Sequence, residues 1–153
     1  MINLRLANER DCQRYLDWRN DPVVRESAFE SSPIEFKTHK VWFLGKLESP
    51  ESILYVVELD NSAIGQVRFE IDDEVAEVNY SIDENYRGKR LASSMMSCAI
   101  EKLLMKNRNV KSVVAKVKQG NLPSMKVFEN LSFTKKDCKN QEDYSVFELQ
   151  TNF

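Results

Sequence analysis

Polar and apolar positions across residues 76–104 fall into two patterns. Val78, Tyr80 and Ile82 alternate with Glu77, Asn79 and Ser81, the period of two that predicts a strand. Leu91, Met95, Ala99 and Leu103 then recur at helical spacing, with Ala92, Met96, Ile100 and Leu104 widening the stripe. Between them lies a basic turn, with Arg87, Lys89 and Arg90 where the helix should begin. A helix N-terminus carries partial positive charge and unpaired N–H groups, so cations there are locally unfavourable. A bound polyanion would remove the conflict, because backbone N–H groups and basic side chains then converge on phosphate. A solvated basic loop opening an ordinary surface helix is the plainer alternative. The strand, turn and amphipathic helix in succession favour the phosphate site.

The flanking segments extend the pattern. Ile2, Leu4 and Leu6 alternate with Asn3 and Arg5 as an opening strand, and Asn8 caps a helix that ends near Asn20-Asp21-Pro22. Trp18 to Arg25 holds two arginines and a turn signal, and reads either as a helix end with Trp18 in the core or as a substrate-facing segment. Ser32-Pro33-Ile34-Glu35 predicts a helix start, with serine as cap, proline in first position and Glu35 reaching back. That helix continues through His39, Val41, Trp42, Phe43 and Leu47, loosened at Gly45. Ile53 to Leu59 and Ala63 to Ile71 form a hairpin about Asp60-Asn61, and Asp72-Asp73-Glu74 turns into the central strand. Downstream come a strand over Lys111 to Lys118, a short helix from Asn121 to Asn130, and a closing hairpin of Phe133 to Lys136 with Tyr144 to Leu149 across a polar loop. The predicted order is strand, two helices, three strands, helix, strand, helix, two strands.

At 153 residues the chain fits one domain, 1–153, with a single substantial core. The formal net charge of −2 gives no chain-wide basic field for nucleic acid, so the basic turn is local and suits a small anionic ligand. Cys12, Cys98 and Cys138 form no CxxC pair and His39 is the single histidine, so no Cys/His metal site is expected. No charged-then-apolar leader follows Met1 and no apolar run approaches a membrane span, so a reduced, cytoplasmic protein without a membrane partner is expected.

Element order and basic turn together resemble the GNAT superfamily of acetyl-CoA-dependent N-acetyltransferases, over nearly the whole chain. The family's turn, Arg/Gln-x-x-Gly-x-Gly/Ala, is matched by Arg87-Gly88-Lys89-Arg90-Leu91-Ala92. Its second signature, an Asn followed by Ser and an aromatic in a short helix, is matched by Asn121, Ser124 and Phe128. The resemblance implies an α/β (α+β) fold: a twisted, mixed, mostly antiparallel sheet of six to seven strands, flanked by about four helices and splayed between the fourth and fifth strands. It implies acetyl-CoA as co-substrate and no metal. Backbone groups of Arg87, Gly88, Lys89, Arg90, Leu91 and Ala92 would hold the pyrophosphate, and main-chain groups of Ser81 and Ile82 the pantetheine arm. Three departures stand out. Arg90 replaces the usual glycine and should distort the turn slightly, and Ser132 replaces the glycine often found before Phe133. Phe128 stands where many relatives carry a tyrosine that protonates the departing thiolate.

Aminolysis of a thioester needs a neutral amine, proximity and stabilisation of a developing oxyanion. Glu77 is the candidate base, with Asn79 beside it on the same strand face; an exposed glutamate paired with a cation is the competing reading. Trp18, Arg19 and Asn20, with His39 and Trp42, resemble the subgroup that acetylates amino sugars on nucleotide carriers, and also relatives that acetylate the N-terminal amine of ribosomal proteins. Aromatics beside arginines suit a nucleotide diphosphate. A nucleotide-linked amino sugar is the favoured acceptor; a protein N-terminus and a non-catalytic acyl-CoA-binding module are the alternatives. Monomer and homodimer are equally compatible with the closing hairpin.

Overall fold

A computed structural model describes residues 1–136 and 143–151. Strands β1 (Ile2–Leu6), β2 (Ser52–Leu59), β3 (Ser62–Asp72) and β4 (Val75–Ile82) pair antiparallel in succession. β5 (Ser112–Lys118) joins β4 in parallel, and β7 (Tyr144–Gln150) lies between β5 and β6 (Thr134–Lys136). The result is one seven-stranded sheet in the order β1-β2-β3-β4-β5-β7-β6, mixed and mostly antiparallel as expected. Its helices are α1 (Cys12–Asn20), α2 (Pro22–Ser27), α3 (Phe36–Glu48), α4 (Ala92–Lys106) and α5 (Leu122–Asn130). The polar loop expected between β6 and β7, and Cys138 within it, fall outside the described residues.

Helices cover both sheet faces, which is why β2 reads as a continuous apolar run rather than an alternating one. Leu54 and Val56 pack with Tyr15 and Trp18 of α1 and Phe43 of α3. Tyr55, Val57, Val67, Phe69 and Val78 face the other way, toward Met95, Ala99 and Leu103 of α4 and Phe128 of α5. The β2–β3 connection is a two-residue turn with both Asp60 (φ 49°) and Asn61 (φ 69°) left-handed, the conformation that matches strand twist.

Three local expectations are corrected. The helix expected from Ser32 begins instead at Phe36, with Glu35 extended and no side-chain cap. Asn20 is the reason: its amide donates to the Ile34 carbonyl (2.9 Å) and its carbonyl accepts from the Ile34 N–H (2.8 Å), holding that segment extended. Two tertiary hydrogen bonds outweigh the local capping signal. Gly45 does not loosen α3, which runs unbroken from Phe36 to Glu48. Asp21-Pro22 ends α1 but also starts α2, because the Asp21 carboxylate accepts from the Val23 N–H (2.9 Å) with proline in the first turn.

α5 ends in a Schellman motif. The Ser132 N–H donates to the Glu129 carbonyl and the Phe133 N–H to the Phe128 carbonyl, both at 3.0 Å, and the two phenyl rings meet at 5.0 Å. Ser132 is left-handed at φ 68°, a conformation that costs a residue with a Cβ about 1 kcal/mol. Ser132→Gly is therefore expected to raise the unfolding free energy by about 0.5–1 kcal/mol in urea titrations; an unchanged or lower midpoint would contradict this account of the cap.

Candidate active site

β4 and β5 stay paired for only three residues each, Val75–Glu77 with Ser112–Val114. Beyond that point each keeps its outer neighbour: β4 pairs with β3 as far as Ile82, and β5 pairs with β7 as far as Lys118. The inner edges of β4 from Val78 and of β5 from Ala115 therefore look into a gap, with backbone donors and acceptors free to meet a ligand. A cavity of about 1260 Å³ passes through this gap, from the basic turn on one side of the sheet to α2 and α3 on the other.

At one end lies the turn. Asp83 accepts from the Asn85 N–H (2.9 Å) and, through its other oxygen, from the Trp18 indole N–H (2.9 Å), which fixes the exit of β4. Gly88 (φ 75°) and Arg90 (φ 58°) are both left-handed, so the turn accommodates arginine by holding it where glycine is favoured. Leu91 precedes α4 without a side-chain cap and no acidic residue occupies the first helical turn. Unpaired N–H groups thus face the cavity beside Arg90. Arg87 reaches away, its Nη2 3.0 Å from Asp21 Oδ2. Burial pushes the Asp21 carboxyl up, but Arg87 and the Val23 and Val24 N–H groups outweigh it and hold the pKa below the usual carboxylate value. Lys89 lies over the Tyr86 ring at 5.3 Å.

Across the sheet, Gln66 and Arg68 of β3 stand in register with Ser81 and Asn79 of β4, and all four line the cavity. The Gln66 amide donates to Asn79 Oδ1 (3.1 Å) and Ser81 Oγ (3.2 Å), leaving its own buried Oε1 without a partner. Arg68 sits over the Trp42 ring at 5.0 Å, and burial lowers its pKa. Arg19 donates through Nη2 to the Glu30 carbonyl, while its buried Nη1 has no partner. Gly65 shapes the wall between the two ends: a Cβ there would lie 2.4 Å from the Ser81 carbonyl oxygen and 2.9 Å from Met95 Cε. Among the described residues no group of His, Cys, Asp and Glu could hold a metal ion, and no helix is long and apolar enough to cross a membrane.

Residues 2–134 match the family model for the acetyltransferase (GNAT) domain. The chain belongs to the GNAT acetyltransferase family. It is accordingly an acyltransferase. It is 30% identical over 140 residues, 86% of this chain and 83% of the other, to a Bacillus subtilis protein named putative phosphinothricin acetyltransferase YwnH. The fold matches that of RimL, a ribosomal L7/L12 α-N-protein acetyltransferase in complex with coenzyme A, with a TM-score of 0.83 at 17% identity over 97% of this chain and 93% of that one. It matches equally well a Vibrio cholerae spermidine N-acetyltransferase in complex with CoA and spermine, TM-score 0.83 at 19% identity over 97% and 95% of the two chains.

Within this GNAT fold, Ser81, Ile82, Arg87, Gly88, Arg90, Leu91 and Ala92 line the cavity with Asn121, Ser124 and Phe128. Asn121 caps α5, accepting from the Ser124 N–H at 3.3 Å. Lys89 does not line it. Of the acceptor-side expectations, Asn79, Arg19, His39 and Trp42 reach the cavity, whereas Trp18 and Asn20 do not, being committed to Asp83 and Ile34. Glu77, the expected base, also lies outside the lining. It sits in the last paired position before the splay, with Oε1 3.4 Å from Lys116 Nζ, and the ion-pair reading describes it. Gln66, Arg68 and Tyr80 line the cavity and were not anticipated. The alternation of β3 does not single out Gln66 and Arg68, because Glu70 and Asp72 continue the same polar positions.

His39 is 2% exposed, its Nε2 2.9 Å from the Cys12 carbonyl oxygen and its ring stacked on Phe43. That bond ties α3 to α1. Burial lowers the imidazole pKa below its ordinary 6.5, opposed in part by the Cys12 carbonyl and Asp17 and aided by Arg19. The unfolded chain then binds a proton that the folded chain refuses. This contribution to stability is complete above pH 6.5 and lost as pH falls from there toward the lower folded value. Unfolding free energy should decline as pH is lowered from 6.5, and His39→Gln should flatten that slope; an unchanged slope would show that His39 is not its source.

Proposed function

We propose that this acetyltransferase moves the acetyl group of acetyl-CoA to the primary amine of a nucleotide-linked amino sugar, by direct attack of the amine on the thioester. The observation that carries the reading is a single cavity with a diphosphate-suited turn at one end and unpaired arginine and amide groups at the other. Acetyl-CoA, when bound, supplies the activated acyl group. The main-chain N–H groups between Arg87 and Ala92 hold its diphosphate, and the unpaired edge of β4 at Ser81 and Ile82 meets the pantetheine amides. Asn121, Ser124 and Phe128 close that side.

The acceptor half is read from unmet bonding capacity. Gln66 Oε1 accepts an N–H from the amine and, with Asn79, orients it toward the gap. Arg19 Nη1 is buried without a hydrogen-bond partner, and burial disfavours the Arg68 cation although Glu70 and Glu77 act in the opposite sense, an arrangement that an anionic acceptor relieves. Trp42 offers a flat surface for a base or sugar ring beside Arg68. Thiol release from acetyl-CoA over a panel of amines tests the reading. Turnover on a UDP-amino sugar supports it, turnover on a peptide N-terminus alone moves the acceptor to protein, and binding without turnover on any amine makes the chain a binding module.

Two variants probe the parts separately. Arg90→Glu should weaken coenzyme A binding at least roughly tenfold in calorimetry, because the cation beside the diphosphate becomes an anion; full affinity would remove the phosphate site. Glu77→Gln should leave the pH–rate profile in place, since its carboxylate pairs with Lys116. Loss of the acid-side limb would restore Glu77 as the base.

A further inference from the structure

The acyl-transfer chemistry leaves one proton unassigned. A thiolate departing beside Phe128, Val117 and Ile82 meets an apolar wall that raises the cost of its charge, so a proton donor close to the sulfur lowers the barrier. Phe128 is 2% exposed and has no polar atom to give.

We infer that Tyr80 is the catalytic proton donor to the departing sulfur, standing on β4 where the family pattern would place the phenol on α5. The inference rests on the acetyl-transfer reading above. Tyr80 lies beyond the splay point, on the inner edge of β4, and lines the cavity. Its ring meets Phe128 edge-on at 6.0 Å, and its hydroxyl donates to Ser124 Oγ at 3.1 Å. The phenol oxygen is thus held at Ser124 in the first turn of α5, one turn before Phe128 on the same helix. Among the other hydroxyls that line the cavity, Thr38 is on α3 at the far end, Ser93 is in the first turn of α4 beside the basic turn, and Ser124 is the partner of Tyr80 itself. Tyr15 donates to the Tyr55 carbonyl at 2.7 Å, Ser27 donates to the Val23 carbonyl, and Tyr86 is at the basic turn beneath Lys89. Ser81 accepts from Gln66 on the opposite sheet face.

The proton count closes. As the nitrogen–carbon bond forms and the carbon–sulfur bond breaks, the sulfur keeps the electron pair and takes the phenolic proton. The proton lost by the attacking nitrogen restores the Tyr80 oxygen through solvent. Ser124 Oγ, already bonded to that oxygen, turns its own hydrogen toward the transient phenolate. Burial holds the Tyr80 pKa above 10, with the Ser124 bond acting in the opposite sense, so the proton is present throughout the neutral range.

The test compares the native chain with Tyr80→Phe, which removes one oxygen and keeps the ring against Phe128. The thiol of bound coenzyme A is titrated by its thiolate absorbance, and kcat is measured on the best amine of the panel. In Tyr80→Phe the bound thiol should titrate roughly one unit or more higher, and kcat should fall roughly a hundredfold with KM for acetyl-CoA little changed. A fluorinated tyrosine at position 80 should move the alkaline limb of the kcat profile to lower pH, and this keeps the test open if Tyr80→Phe folds poorly. Coenzyme A bound with an unshifted thiol in Tyr80→Phe, or an unchanged kcat, would overturn the role of Tyr80 alone. A native chain that binds no coenzyme A would overturn the acetyl-transfer reading itself.

Discussion

The parting of two parallel strands after three paired residues is the constraint on which the site depends. Each strand is held on its outer side, β4 by β3 and β5 by β7, so the gap is built into a rigid sheet and not left to a loop. An unpaired strand edge inside a protein is costly unless something satisfies it. Here the two inner edges face one another across a space that an extended, amide-bearing chain fits. Substrate-sized room and hydrogen-bonding capacity come from the same interruption.

Other features position the two ends of that gap. Trp18 reaches from α1 to Asp83 at the exit of β4, and Asp21 at the start of α2 meets Arg87 of the turn. The helices bordering one end of the cavity are thereby tied to the basic turn at the other, although they lie on opposite faces of the sheet. Asn20 does the same one step further on, fixing Ile34 and so the approach to α3. Trp18, Asn20 and Asp21, at or just past the end of α1, act as fasteners. Their sequence neighbourhood had suggested substrate contact.

Local features of the fold were legible in the sequence because local periodicity generates them. The alternation through β4, the apolar stripe of α4 and the Asn121 cap each depend on neighbours within a few residues. What escaped was set at a distance. The start of α3 is displaced by Asn20 through its bonds to Ile34, fourteen positions from it in sequence. Asp21-Pro22 serves as both a stop and a start, and only the stop was read. The basic turn and the Asn121–Phe128 helix are contiguous motifs, and of the residues expected there all but Lys89 line the cavity. The opposite end of the cavity was less legible. Glu77 shares a strand face with Asn79 and Ser81, as alternation required, but which part of that face opens on the cavity depends on where β5 departs. Gln66 and Arg68 became visible only through the β3–β4 register.

Gly65 divides the protein into a part that can vary and a part that cannot. Any side chain there would collide with the Ser81 carbonyl and with the methionine at the root of α4, so the strand wall beside the cleft has no slack. The segments bordering the far end, α2 and the extended stretch before α3, carry much of their surface in solvent and hold few of the buried core residues. Tolerance of substitution, over evolutionary time or in a laboratory library, is therefore greater in α2 and the stretch before α3 than along that strand wall.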